Sequence, residues 1–346
     1  MTSGEPGQPW LRGSGQPLAV RHDVALLDLD GVVYVGPQPI EGVADVLARV
    51  REQGMRLAFV TNNASRSAAD VAEHLIELGI PASTDDVVTS AQAAAAVIVA
   101  QIGAGASVLV TGSPALRQTL EAAGLRTVSS ADDRPDAVVQ GFWSRLCYTD
   151  LAEAALAVRA GAFWVATNAD TTLPSPRGLL PGNGSLVGVV RAAAGKSPVV
   201  AGKPELPLHA EGVRRMGAKN PLVVGDRLDT DIEGANRADT PSLLVLTGVT
   251  SASDLLTARP DHRPTYLAEG LAALLQAQPA VVVDDDGSAR CGASTVRSRD
   301  GRLVIDGSDT TAIDGLRALL ALVWSLADAG RPYEGASKVI ADLGFH

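Results

Sequence analysis

Basic residues are in deficit in this 346-residue chain. Twenty-nine Lys and Arg stand against 39 Asp and Glu, a formal net charge of −10. That balance argues against nucleic acid or membrane insertion as the main business of the protein, because phosphate backbones and anionic lipids are bound chiefly by Lys and Arg. A small anionic ligand stays open, since a metal or a local nest of N–H groups reverses the field at one site. Cysteine is nearly missing: Cys147 and Cys291 cannot build a disulfide framework, so a reducing compartment is the default. Long apolar runs are missing as well. Nothing approaches the ~18–20 residues of a membrane span, and the first residues, MTSGEPGQPWLRGSGQP, lack the apolar segment of a secretory leader. The expectation is a soluble cytoplasmic protein. Lysine is scarce, 4 against 25 Arg, which speaks of a GC-rich genome more than of a function.

What the chain does have is 46% hydrophobic residues, enough for a large core, and a length that corresponds to two or three domains at ~150 residues each. Residues 1–17 are rich in Gly, Pro and Ser and read as a flexible tail. Short apolar runs follow at Val24–Leu27, Leu57–Val60, Val108–Val110, Ala137–Val139, Phe163–Ala166, Val199–Ala201, Leu222–Val224 and Leu243–Leu246. They show little alternation, as strands buried on both faces of a parallel sheet do. Helical patterns lie between them at Val43–Gln53, Ser67–Leu78, Pro114–Ala123, Asp150–Ala160, Pro207–Met216 and Asp231–Ala238, several stopped by Gly. The alternation predicts an α/β fold with a Rossmann-like parallel sheet, in which ligands bind at the carboxyl ends of the strands. From about residue 279 the rhythm breaks into two strands and a helix near 309–329, a small α+β appendage.

Four polar clusters each end an apolar strand. In VALLDLDGVVY, Asp28 and Asp30 sit two residues apart, so they point to one side of an extended segment, and Gly31 permits a sharp turn. A strand-end DxD can also merely satisfy a turn. In AFVTNNASRS, Thr61 offers a hydroxyl, and the Asn62 and Asn63 amides precede a helix beginning near Ser65 or Ser67, a setting suited to an anion or simply to an N-cap. In PVVAGKPE, Lys203 is one of only four lysines. In PLVVGDRLDTDIEGA, Asp226 ends a strand, while Asp229 and Asp231 open a helix and double as caps or dipole partners.

Taken together, the order DxDG, TNN, GKP, GDxxxxD over residues 22–275 closely resembles the haloacid-dehalogenase-like (HAD) phosphohydrolase superfamily. The wording DLDGVVY, TNNASRS, ATNAD, GNGSLV, AGKP and GDRLDTDI is similar to its p-nitrophenyl-phosphatase, phosphoglycolate phosphatase and glycerol-3-phosphate phosphatase subfamily. The resemblance implies Asp28 as nucleophile and a Mg²⁺ cofactor held by Asp28, the Asp30 carbonyl and Asp226, with Asp231 behind them orienting metal-bound water. It further implies Asp30 as general acid and base, Lys203 as charge partner, and Thr61, Asn62 and Asn63 as phosphate-binding groups.

About 140 residues separate TNN from GKP, far more than a loop needs. The insert should therefore be a second domain, and the resemblance implies a catalytic core of 18–87 and 187–277 with an inserted α/β cap of 88–186, followed by a C-terminal β-hairpin-plus-helix module of 278–346. A closing cap excludes water and favours small phosphorylated metabolites, and the resemblance implies glycerol 3-phosphate first and phosphoglycolate next. The loop Asn168–Pro176 is a candidate specificity element, with Trp143, Arg145 and Arg177 as weaker ones. Gly182, Gly184 and Gly188 imitate a dinucleotide-binding pattern, but their spacing is GxGxxxG and no strand leads in. His22, His74, His209, His262 and His346 show no ligand or triad spacing, and the Asp284–Asp286 run reads as a solvated turn. The appendage looks like a fragment of an acetyltransferase fold but lacks its pyrophosphate-binding segment, so oligomerisation, regulation or a lid suits it better. A homo-oligomer stays open. The competing functions are a sugar phosphomutase, which would return phosphate to the sugar, and a non-catalytic metabolite-binding scaffold.

Overall fold

The computed structural model describes residues 10–173, 175, 177–306 and 311–345. Residues 1–9 of the expected tail, Pro174 and Pro176 of the candidate loop, Asp309 at the expected helix start, and His346 lie outside them. The chain divides into two compact units, one of residues 1–57 with 219–346 and one of residues 58–218. No described helix is long and apolar enough to cross a membrane.

In the first unit, Val24–Leu27, Pro221–Gly225, Ser242–Val245 and Tyr266–Ala268 lie side by side in that order, all parallel. All four residues of Val24–Leu27 are buried, which is why the run carries no polar alternation. The helix expected at Asp231–Ala238 is present but starts earlier, as a π-helical turn, Leu228–Ile232, that continues into a short α-helix, Glu233–Arg237. A π-turn widens the backbone spiral, and such turns occur frequently at functional sites.

The C-terminal module belongs to this unit and is larger than a hairpin. Val281–Asp284, Ser288–Cys291, Ser294–Arg299 and Arg302–Asp306 form a four-stranded antiparallel meander. Its last turn, Asp300–Gly301, has both residues at positive φ, the geometry that an Asp-Gly pair favours between twisted strands. The helix Ala312–Asp328 packs on the sheet, and a shorter helix, Ala336–Asp342, follows. Leu316, Leu319, Leu320, Val323 and Trp324 join Leu244, Leu255 and Leu267 in one apolar core, so the module is fused to the strands before it. The expected tail is also corrected from residue 10 onward. Leu11 is buried, its N–H donates to the Pro264 carbonyl at 3.1 Å, and Trp10 packs edge-on against Trp324.

In the second unit, residues 59–61 at the end of the strand Arg56–Thr61 pair in parallel with Val87–Thr89. A five-stranded parallel sheet has the order Val199–Val200, Phe163–Ala166, Ala137–Gln140, Ser107–Thr111, Arg126–Val128. Helices Tyr148–Ala160 and Asn183–Ala194 contribute Ala154, Val158, Val187 and Val190 to a core with Leu109, Val138 and Trp164. The Val199–Val200 strand, legible in the sequence as an apolar run, pairs with Phe163–Ala166 in this sheet. Its side chains are exposed or half-buried, as befits an edge.

Candidate active site

Two groups of site residues form, one in each unit. In the first, the strand Val24–Leu27 delivers Asp28, whose N–H donates to the Val224 carbonyl at 2.8 Å. Gly31, at φ +80°, then reverses the chain: its own N–H donates to Tyr34 O, and the N–H groups of Val33 and Tyr34 return to Leu29 O. The turn leaves Asp28 half-buried and Asp30 exposed. The neighbouring strand Pro221–Gly225 delivers Asp226, only 1% exposed. Its Oδ2 accepts the Val249 N–H at 2.6 Å, and its carbonyl accepts the Thr250 N–H. Asp231, 2% exposed, comes from the π-turn and accepts the Arg227 N–H on Oδ2 at 3.2 Å.

Carboxylate oxygens of Asp28, Asp226 and Asp231 all lie within 4.8 Å of one another. Three glycines make this convergence possible. A Cβ on Gly31 or Gly248 would overlap the Asp226 carboxylate, and one on Gly225 would overlap the Asp231 side chain. A floor of glycine therefore cradles a cluster of hard oxygen donors, the ligand type preferred by Mg²⁺ and Ca²⁺. Gathering like charge where water is scarce is costly unless a cation joins it. The residues present fit a divalent metal. Asp229 stands apart: it pairs with Arg227 at 2.9 Å in an exposed salt bridge, the local role that its position at a helix start allowed.

A second gathering, Glu233, Asp261 and His262, has a different character. Arg237 and Arg259 pair with Glu233, Arg259 also pairs with Asp261, and His262 Nε2 lies 2.9 Å from Glu233. Its cations are supplied by the chain itself.

In the second unit, Thr61 ends its strand with the side chain buried, and its Oγ1 accepts the Asn63 N–H at 3.1 Å. Asn63 Oδ1 accepts both the N–H and the hydroxyl of Ser65, which turns the chain toward Ser67. Ser67 then caps the helix Ala68–Glu77 in a reciprocal box with Asp70. Lys203 approaches from the loop after Val199–Val200. Its N–H donates to Asn62 Oδ1 at 2.7 Å, and its carbonyl accepts from Asn62 Nδ2 at 3.2 Å. Thr61, Asn62, Asn63 and Lys203 are thus one local group, with the Asn62 side chain bracketing the Lys203 main chain.

The candidate loop meets that group. Asn168, 4% exposed, donates from Nδ2 to the Asn62 carbonyl at 2.8 Å, and Asp170 lies 3.5 Å from Asn62 Nδ2. Gly182 and Gly184 press against the carbonyls of Asp170 and Ala169, where an added Cβ would overlap them. The glycine pattern thus seats the loop beneath the helix Asn183–Ala194. Trp143 is half-buried, while Arg145 and Arg177 are exposed. Sequence reasoning singled out the loop that begins at Asn168 but missed Gly225 and Gly248. Gly225 adjoins Asp226 in VVGD and was there to be read, whereas Gly248 meets Asp226 from a distant point in the sequence.

Comparison with known proteins agrees with this geometry. A family model described as haloacid dehalogenase-like hydrolase matches residues 25–126, and a HAD-hydrolase-like model matches 200–274. The D-glycerol 3-phosphate phosphatase of Mycobacterium tuberculosis is 50% identical over 315 residues, 89% of this chain and 87% of that protein. A 5'-nucleotidase of Bacillus subtilis is 38% identical over 248 residues, 71% of this chain and 94% of its own. Among solved structures, the M. tuberculosis glycerol phosphate phosphatase in complex with magnesium has a TM-score of 0.84 and 46% identity, covering 96% of this chain and 99% of that one. The p-nitrophenyl phosphatase of Archaeoglobus fulgidus gives 0.69 and 28%, covering 73% and 98%.

Proposed function

The chain belongs to the haloacid-dehalogenase-like hydrolases, and on that premise we propose that it is a Mg²⁺-dependent phosphatase of glycerol 3-phosphate. The observation that carries this reading is the glycine-floored cluster of Asp28, Asp226 and Asp231 at the carboxyl ends of adjacent parallel strands. The 50% identity to a D-glycerol 3-phosphate phosphatase supports the choice of substrate.

Phosphomonoester hydrolysis needs accelerations of up to ~10²¹, and a carboxylate nucleophile must approach an anion. A bound Mg²⁺ would offset that repulsion and orient the phosphoryl group, held by Asp28, Asp226 and the Asp30 carbonyl with Asp231 beside them. Asp28 attacks phosphorus, the bond from phosphorus to the glycerol oxygen breaks, and Asp30 gives the leaving alkoxide a proton. Asp30 then takes a proton from water, which attacks the aspartyl-phosphate and releases inorganic phosphate with Asp28 restored. Lys203 offsets charge on Asp28 and the transferring group, and the Thr61 hydroxyl with the main-chain N–H of Asn62 and the Asn63 amide binds phosphate oxygens. In this reading residues 88–186 act as the cap over a core of 18–87 and 187–277, and the loop from Asn168 contacts the alcohol. The protein works in the cytoplasm, where such metabolites are found.

The test is phosphate release from a panel of glycerol 3-phosphate, phosphoglycolate, a 5'-nucleotide, sugar phosphates and p-nitrophenyl phosphate with Mg²⁺. The highest kcat/KM is expected for glycerol 3-phosphate. A higher value for the nucleotide or phosphoglycolate would replace the substrate while keeping the chemistry. Conversion of a sugar 1-phosphate to its isomer without free phosphate would overturn the reading.

A further inference from the structure

Both ends of the Asn62 side-chain amide are engaged within the protein. Its Oδ1 accepts the Lys203 N–H at 2.7 Å, and its Nδ2 donates to the Lys203 carbonyl at 3.2 Å, so one amide brackets one residue's main chain from both sides. The Asn62 carbonyl in turn accepts from Ser90 Oγ at 2.6 Å and from Asn168 Nδ2 at 2.8 Å. Asn168 is itself held, since its carbonyl accepts Asn183 Nδ2 at 2.8 Å and its Oδ1 accepts the Asp170 N–H at 3.2 Å. Both Asn168 and Asn183 are nearly fully buried. Gly202 completes the arrangement: a Cβ there would collide with Asn62 Oδ1 and the Thr167 carbonyl, so the lysine loop comes this close only because residue 202 is glycine.

We infer that Asn62 and Asn168 are positioning residues for Lys203, forming a relay from Asn183 through Asn168 and Asn62 to the lysine loop. This rests on the reading of Lys203 as the charge partner of the phosphoryl group. Lysine has a long flexible stem, and its ammonium is useful in catalysis only if the main chain beneath it is fixed. Asparagine can serve because its amide carries an acceptor and a donor together, matching the N–H and C=O of one residue. Through Asn168, the same relay ties the lysine loop to the segment carrying Asp170, so movement of that segment is felt at Lys203.

The test is a double-mutant cycle on the full chain with Mg²⁺ and glycerol 3-phosphate, using Asn62→Ala, Asn168→Ala and Lys203→Ala. Misplacement of a catalytic group by about 1 Å costs about 10²-fold. Asn62→Ala is therefore expected to lower kcat by about that factor with KM little changed, and Asn168→Ala by about 10-fold. In the Lys203→Ala background each should cost less than about 3-fold, because the group they position is gone. Equal losses in both backgrounds, or a loss confined to KM, would overturn the inference. Should Asn62→Ala fail to fold by circular dichroism, the Asn168→Ala with Lys203→Ala cycle decides by the same criterion. Wild type without phosphatase activity, or Lys203→Ala with wild-type activity, would instead defeat the reading beneath it.

Discussion

Buried charge is handled in two opposite ways within the first unit. At the strand ends, Asp28, Asp226 and Asp231 gather like charge, and two of the three are almost fully buried. Where the C-terminal module joins the strands, two arginines are buried, and each meets its own counter-groups. Arg263, 4% exposed, lies over the rings of both Trp10 and Trp324 and grips Asp328 with two hydrogen bonds of 2.6 and 2.7 Å. Arg317 donates to the Leu267 carbonyl, to Gln278 Oε1 and to Asp314 Oδ1. The arginine sites are complete as they stand, whereas the aspartate cluster is completed by a cation. That difference separates a place built for holding from a place built for chemistry.

The contrast can be broken first at the nucleophile. Asp28→Asn should lower phosphate release by about 10⁴-fold or more, as removal of a nucleophile does, while thermal unfolding stays near that of the wild type. Activity within tenfold of wild type would take Asp28 out of its role. A subtler break is Gly248→Ala, whose Cβ would displace the Asp226 carboxylate. Calorimetric titration should show Mg²⁺ affinity weakened by about 10–100-fold, the usual effect of disturbing what orients a ligand. Unchanged affinity would mean that the glycine floor has no bearing on the metal.

The arginine side should respond the other way. Arg317→Met keeps the stem volume but strands Asp314 and the Leu267 carbonyl, and should cost about 3 kcal/mol of stability in urea unfolding. Its kcat should stay within about threefold of wild type. A large kcat loss in the folded variant would show that the module takes part in catalysis. The smallest expected effect is one of pH. His22 is buried, 3% exposed, with Nδ1 3.2 Å from the Asn220 carbonyl, and burial holds its pKa below the ordinary 6.5. The unfolded chain therefore binds the proton more readily than the folded one. The stability that His22 contributes is present above pH 6.5 and is lost as pH falls from there toward the lower folded value. Replacing His22 with Asn should flatten the fall in thermal midpoint between pH 7.5 and 5.5, and an unaltered fall would assign it to other groups.

How much of this was legible in the sequence follows the same division. The strand ends could be read because their chemistry is local. A continuous apolar run, a carboxylate and a glycine sit within a few residues, as in Leu26–Gly31 and Val223–Asp226, and the α/β class with parallel sheets follows from the run of such segments. The three-residue strands Val87–Thr89, Arg126–Val128 and Tyr266–Ala268 were too short to stand out. The helix Ser90–Gln101 is alanine-rich and apolar on most sides, so it offers no stripe for periodicity to find. In the C-terminal module, the turn pair Asp300–Gly301 was a local signal for an extra hairpin. The contacts of Arg263 with Trp10 and Trp324 and the hold of Asn62 on Lys203, 141 residues away, depend on pairs that no local pattern connects.

The most direct test of the central claim is phosphate release from glycerol 3-phosphate as Mg²⁺ is titrated into the EDTA-treated full chain. The account predicts no release without the cation, a saturable rise as it is added, and loss again when EDTA is returned. Release that is indifferent to EDTA, or none from folded protein saturated with Mg²⁺, would contradict it.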